Sequence, residues 1–172
     1  MQISIKNIHE LNNEIGLGEY GVISAHRYKI ALEYIKEECQ ESKRICEIGP
    51  GGVIAYISKF SMANTNAIVS PRENHWNEIF KKFNIKLSTW DLNSKLDNIE
   101  LYESFDCIIF LETLEHLNRW PEKVIDDIHK LLKPGGVLLM STPNLVRVSN
   151  SCLLYTSPSP RDATLSRMPS SA

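Results

Sequence analysis

Cysteine pairs at metal-binding spacing are missing from this chain. Its four cysteines stand at 39, 46, 107 and 152 with no CxxC among them, which removes zinc ribbons and dithiol redox motifs from consideration. Positive charge is not in excess either. Against 19 Lys and Arg stand 21 Asp and Glu, a formal net charge of −2, so nothing here attracts a polyanion and nucleic acid is not an expected partner. The opening stretch Met1 to Glu14 is too polar and too charged for an apolar signal or a membrane span. No internal repeat or interdomain linker is visible. Cys46 and Cys107 fall inside apolar runs and read as small buried thiols in a reducing cytoplasm.

Against that plain background stands Arg44-Ile45-Cys46-Glu47-Ile48-Gly49-Pro50-Gly51-Gly52, a short apolar strand that ends beside an acid and runs into a glycine turn. Ile45 and Ile48 suit a parallel strand covered on both faces, and the glycines let backbone approach a ligand where a Cβ would collide. Val53 to Phe60 is apolar enough to be the helix that packs back on the sheet, with its first amides facing whatever rests on the turn. A dinucleotide fingerprint needs a third glycine three residues beyond Gly51, and Ile54 stands there. Glu47 would repel a pyrophosphate but suits a ligand carrying an ammonium and a sulfonium. S-adenosylmethionine carries both. The run Glu47-Ile48-Gly49-Pro50-Gly51 resembles the first motif of the class I S-adenosylmethionine-dependent methyltransferases.

Two further segments extend the resemblance. Phe105 to Leu117 reads as a buried strand entering a polar loop, and Leu131 to Asn144 as a helix end, a Pro-Gly-Gly turn and another strand. Both are similar to the fourth-strand and fifth-strand motifs of that family, especially of its ubiquinone-biosynthesis O-methyltransferase-like branch. Along the chain, Ser24 is placed to cap a helix over about 25–39 with Ile30, Ala31, Tyr34 and Ile35 as its apolar stripe. Strands are expected at about 44–48, 66–70, 85–89, 105–111 and 137–141, with helices at about 53–60, 72–82 and 121–132 between them. Strands joined through helices must be parallel with right-handed crossovers, so the fold class is α/β, a doubly wound Rossmann-like sheet of about five strands. The family's sheet has seven, so the resemblance implies that the last two are lacking. The expected division is a lead-in over 1–23, a truncated methyltransferase domain over 24–151 and a non-native tail over 152–172. From Cys152 onward the Ser/Pro-rich sequence has no period and resembles translated sequencing-adapter DNA: TGT CTC TTA TAC ACA TCT would encode Cys152 to Ser157.

The resemblance also assigns roles. It places Glu47, Gly49, Pro50, Gly51, Asp91, Leu92, Leu111 and Glu112 around the cofactor, with Asp91 at the adenine amino group. An acid normally closes the second strand and accepts from the ribose hydroxyls, yet Ala67 to Pro71 contains none. Ser70, or Glu73 reaching back from the next turn, is left for that role. Arg27 could pair with the cofactor carboxylate or the substrate. If the loop after strand four is helical, Glu112, Glu115 and His116 share a face and could hold a divalent metal; the alternative is a metal-free loop in which His116 shapes the substrate entrance or acts as base. The implied reaction is in-line methyl transfer to a small-molecule acceptor. A cofactor-binding but inactive domain and a nicotinamide-dependent oxidoreductase are the alternatives, the latter disfavoured by Glu47 and Ile54.

Overall fold

The apolar runs expected to be strands pair, in a computed structural model describing residues 3–39, 43–61, 63–73 and 75–143, into one sheet. The elements are α1 (Ile5–Glu14), α2 (Gly18–Glu38), β1 (Arg44–Ile48), α3 (Val53–Phe60), β2 (Asn64–Val69), α4 (Trp76–Lys82), β3 (Lys86–Thr89), β4 (Phe105–Leu111), α5 (Pro121–Leu131) and β5 (Leu132–Ser141). All pairings are parallel and the strand order is β3-β2-β1-β4-β5. The chain therefore winds outward from β1 through β2 to β3, then returns to the other side of β1 for β4 and β5. That reversal opens a crevice at the carboxyl ends of β1 and β4.

Side-chain alternation sends the two faces of the sheet into two cores. Ile45, Ala67, Val69, Cys107 and Ile109 pack under helices from the first half of the chain, while Cys46, Ile48, Ile68, Ile108 and Phe110 pack with Val124, Ile128 and Leu131 of α5. Burial on both faces is why β1 and β4 read as near-continuous apolar runs.

The lead-in expected over residues 1–23 is helical for most of its length. Ser4 caps α1 by accepting a hydrogen bond from the Asn7 amide at 3.2 Å, and Ile8, Leu11 and Ile15 are buried in the same core as α3. After a turn at Gly16, helix α2 begins at Gly18 rather than at Ala25. Ser24 is consequently no cap; it is buried in mid-helix, its hydroxyl accepting from Arg27. The buried stripe is Tyr28, Ala31, Leu32 and Ile35, and the expected Ile30 and Tyr34 point outward. Helix α4 starts at Trp76, four residues later than expected, because Ser70 to Glu73 forms a turn closed by the Glu73 amide donating to the Ser70 carbonyl. The Pro-Gly-Gly segment lies within β5 as a bulge: register passes from Phe105↔Leu132 to Cys107↔Val137, with Gly135 at φ +77°. One compact unit ends at Ser141. The adapter-like segment 152–172 lies outside the described residues.

Candidate functional site

A cavity of about 360 Å³ opens at the carboxyl ends of β1 to β4. Gly49 and Pro50 reach it from β1, Ser70 and Glu73 from β2, Asp91 and Leu92 from β3, and Thr113 and His116 from β4. A larger hollow of about 700 Å³ lies at the opposite ends of the strands, near Arg44, Asn64 and Lys86. There α3 and α4 present their C-terminal ends through Ser61 and Phe83, and no glycine turn adjoins it. The smaller cavity is the one that the winding of the sheet creates.

Glu47 lies beneath the turn rather than on the cavity wall. It is 1 % exposed, and its Oε2 accepts from the Ile54 amide at 3.0 Å, with a further backbone hydrogen bond from Gly51. Burial pushes its carboxyl up from 4.5 to about 7, against the pull of those amides and of Arg27. Its position ties the start of α3 to the end of β1.

The glycines above it make room for protein side chains. Gly49 has φ +67°, and a Cβ there would lie 2.6 Å from Thr113 Oγ1. At Gly51 a Cβ would collide with the Tyr28 hydroxyl, and at Gly52 with the Asn12 amide oxygen. The close approach at this turn is therefore to the loop after β4 at Gly49 and to α1 and α2 at Gly51 and Gly52. Asn12 is buried, donates from Nδ2 to the Gly21 carbonyl at 2.7 Å, and has no partner at Oδ1. Burial, then the nearby Glu47 carboxylate, drives the Tyr28 phenol well above its ordinary range.

The far wall is built from loops. Asp91 Oδ1 accepts from the Asn93 amide at 3.0 Å, which turns the chain beside Trp90. Ser70 Oγ accepts from the Arg72 amide at 3.4 Å, and Glu73 stands next to it on the wall. Trp76, stacked on Phe80 with ring centroids 4.9 Å apart, adds an aromatic side.

Leu111 is buried and, with Glu47, Gly51 and Glu112, lies off the cavity lining. Glu112 adopts φ +48°; its amide donates to the Ser141 carbonyl at 2.9 Å, its Oε1 accepts from Ser141 Oγ at 2.8 Å, and Oε2 lies 3.6 Å from Arg27. Arg27 also donates to Tyr20 Oη and Ser24 Oγ, and its Nε is buried without a partner. The proposed metal face does not form. The loop after β4 makes only a single 3-10 turn at Leu114–His116, so the helical spacing fails: Glu115 and His116 stand 3.7 Å apart while Glu112 is turned to Arg27 and Ser141. Among the described residues no group of three His, Cys, Asp or Glu could hold a metal ion.

Sequence reasoning missed Thr113, Trp90, Asn93 and Tyr28. Trp90 and Asn93 flank Asp91 and could have been found from its place after β3. Tyr28 and Thr113 owe their positions to packing between distant elements and carry no local signal.

A profile described as a methyltransferase domain matches residues 23–172, through the adapter-like segment as well. The ubiquinone biosynthesis O-methyltransferase, mitochondrial, of Dictyostelium discoideum is 43% identical over 47 residues, 27% of this chain and 14% of that protein. Among solved structures, a Pyrococcus horikoshii protein is similar with a TM-score of 0.63 and 16% identity, covering 81% of this chain and 66% of the other. A Thermotoga maritima protein described as a SAM-dependent methyltransferase is similar with a TM-score of 0.61 and 20% identity, covering 90% of this chain and 70% of the other. The N-methyltransferase NodS of Bradyrhizobium japonicum, solved with S-adenosylhomocysteine, has a TM-score of 0.51 and 20% identity, covering 67% and 59%. At these identities the structural likeness concerns the fold.

Proposed function

Because the chain belongs to the methyltransferase-domain family, of the class I S-adenosylmethionine-dependent kind, we propose that its cavity binds S-adenosylmethionine and passes the methyl group to a small-molecule acceptor. The observation that carries this reading is convergence: Gly49, Pro50, Ser70, Asp91, Leu92 and His116, from four different strand ends, line one cavity. Its volume, about 360 Å³, lies in the range of small-molecule sites.

In this reading Asp91 accepts from the adenine amino group, with the Trp90 and Leu92 side of the wall covering the ring. Ser70 and Glu73 share the ribose hydroxyls in place of an acid closing β2. Glu47 holds the glycine turn in shape, and Arg27 meets the cofactor carboxylate after loosening its long 3.6 Å contact with Glu112. The acceptor's lone pair forms the new bond to the methyl carbon as the carbon–sulfur bond breaks, and the sulfonium leaves as a neutral thioether. Most of the rate then comes from alignment, for which proximity supplies up to about 7–11 kcal/mol. His116, exposed at the cavity mouth, is the candidate base for an acceptor protonated at neutral pH.

The domain is read as the stretch 24–151 joined by the lead-in helices, and the tail 152–172 as foreign to it. The free thiols of Cys39, Cys46 and Cys107 support a reducing compartment such as the cytoplasm. No helix among the described residues is long and apolar enough to cross a membrane. Calorimetric titration with S-adenosylhomocysteine tests the cofactor: saturable binding weakened by Asp91→Asn and by Glu73→Gln is expected, and no binding to the wild-type chain overturns the reading. Methyl transfer from labelled cofactor distinguishes an enzyme from an inactive cofactor-binding domain.

A further inference from the structure

The loop after β3 and the loop after β4 together supply Trp90, Asp91, Leu92 and Asn93 on one side and Thr113, His116 and Leu117 on the other. Neither loop has regular structure beyond one 3-10 turn to fix it. Their separation, and hence the width of the cavity between them, must be set by bonds that cross from one to the other.

Two bonds cross directly, from Asn118 to Asn93 and from Arg119 to Ser94, and the second is anchored behind the wall by Asp127. Arg119 Nη1 donates to the Ser94 carbonyl at 2.8 Å, and its Nη2 donates to Asp127 Oδ2 at 2.7 Å. The same Oδ2 accepts from the Leu96 amide at 3.1 Å, and Oδ1 accepts from Lys130 Nζ at 2.6 Å. Ser94 also receives Trp90 Nε1 at 3.2 Å, and the Asn118 amide donates to Asn93 Oδ1 at 2.6 Å. One guanidinium thus spans both loops, and one carboxylate, 1 % exposed on α5, fixes the guanidinium. Burial raises the Asp127 carboxyl, but Lys130, the Leu96 amide and Arg119 outweigh it and hold the group down at about 2, ionised throughout the neutral range.

We propose that Arg119 and Asp127, neither of which lines the cavity, are positioning residues that set the width of its adenosine end by locking the β3 and β4 loops together. The inference rests on the cofactor reading above. It also has a reason for being arginine: only a rigid fork reaches a carboxylate and a carbonyl at once, whereas a lysine keeps the charge and loses the second anchor.

Arg119→Lys is therefore the deciding variant, since it still neutralises Asp127. Titration of the full chain with S-adenosylhomocysteine should show about tenfold weaker binding for Arg119→Lys with its unfolding midpoint close to wild type, because a loosened wall costs affinity without dismantling the core. Asp127→Asn, which still offers the Leu96 amide an acceptor, should weaken binding similarly, and the double variant should be no worse than the weaker single one if the two act as a unit. Glu14→Gln, which releases Lys59 and Lys82 on the far surface, should leave affinity unchanged. Wild-type affinity in both Arg119→Lys and Asp127→Asn overturns the inference while leaving the cofactor reading intact. Absence of binding by the wild-type chain overturns that reading, and the inference with it.

Discussion

A carboxyl group buried beneath a turn must be stabilised by donors or take up a proton, and Glu47 is balanced between the two. Its folded value of about 7 lies above the ordinary 4.5, so the native state holds a proton that the unfolded chain has already released between those values. Stability therefore falls as pH rises from about 4.5 to about 7 and is level above, by on the order of 3 kcal/mol from this one group. Urea unfolding at pH 5 and pH 8 should show that drop in the wild type, and Glu47→Gln should remove most of it; an identical pH dependence in the variant would refute the assignment. Gly51 offers a second residue-scale prediction. Its absent Cβ leaves room for the Tyr28 hydroxyl, so Gly51→Ala should displace α2 and weaken S-adenosylhomocysteine binding. Tyr28→Phe in the same chain should recover part of the loss, which binding titration of the single and double variants will decide.

Among the elements, β1, α3 and β4 have the bounds expected from sequence: β1 and β4 are buried along nearly their whole length, α3 is buried from Val53 to Ile57, and Gly49, Gly52, Ser61 and Ser104 stand at their ends. The lead-in differs from expectation for the opposite reason. It is polar and holds glycines at 16, 18 and 21, yet Ile8, Leu11 and Ile15 carry helical spacing behind a Ser cap. Gly21 is inside α2 because Asn12 and Leu17 press against it. The same division runs through the site. The cavity positions of Gly49, Asp91 and Ser70 follow from the strand ends that carry them, whereas the placement of Glu112, with its left-handed backbone and its pairing with Ser141, depends on how β4 meets β5. Two outcomes follow at this scale. Leu11→Ala should lower stability by about 2–5 kcal/mol in denaturant titration, a cost no lead-in outside the core would incur. Methyl transfer should be indifferent to EDTA, because Glu112 is bonded to Ser141 through both its Oε1 and its amide and does not join Glu115 and His116 in a three-ligand group among the described residues.

For the molecule as a whole, the outer limit of the sheet matters most. The strand order ends at β5, which among the described residues is paired only with β4. Its residues Val137 to Leu139 are half-buried and Met140 is 43% exposed, whereas the facing Cys107 to Phe110 are fully buried. Among the described residues the outer side of this ten-residue parallel strand has no ladder partner, and an edge of that kind with an apolar tip offers donors and acceptors to a second chain. The family resemblance sets two further strands beside it, and neither is among the described residues. With Pro134 at one end and no lysine after Lys133, β5 carries little of the charge that usually blunts such an edge. Self-association is therefore expected to rise with concentration, and Met140→Lys, which adds a charge at an exposed position, should reduce it without lowering the unfolding midpoint. Light scattering and size-exclusion profiles over a concentration series will test this. A wild-type chain that stays monomeric throughout would mean that the edge is already covered, and the same measurement on a chain ending at Ser151 would then show whether residues 152–172 are what covers it.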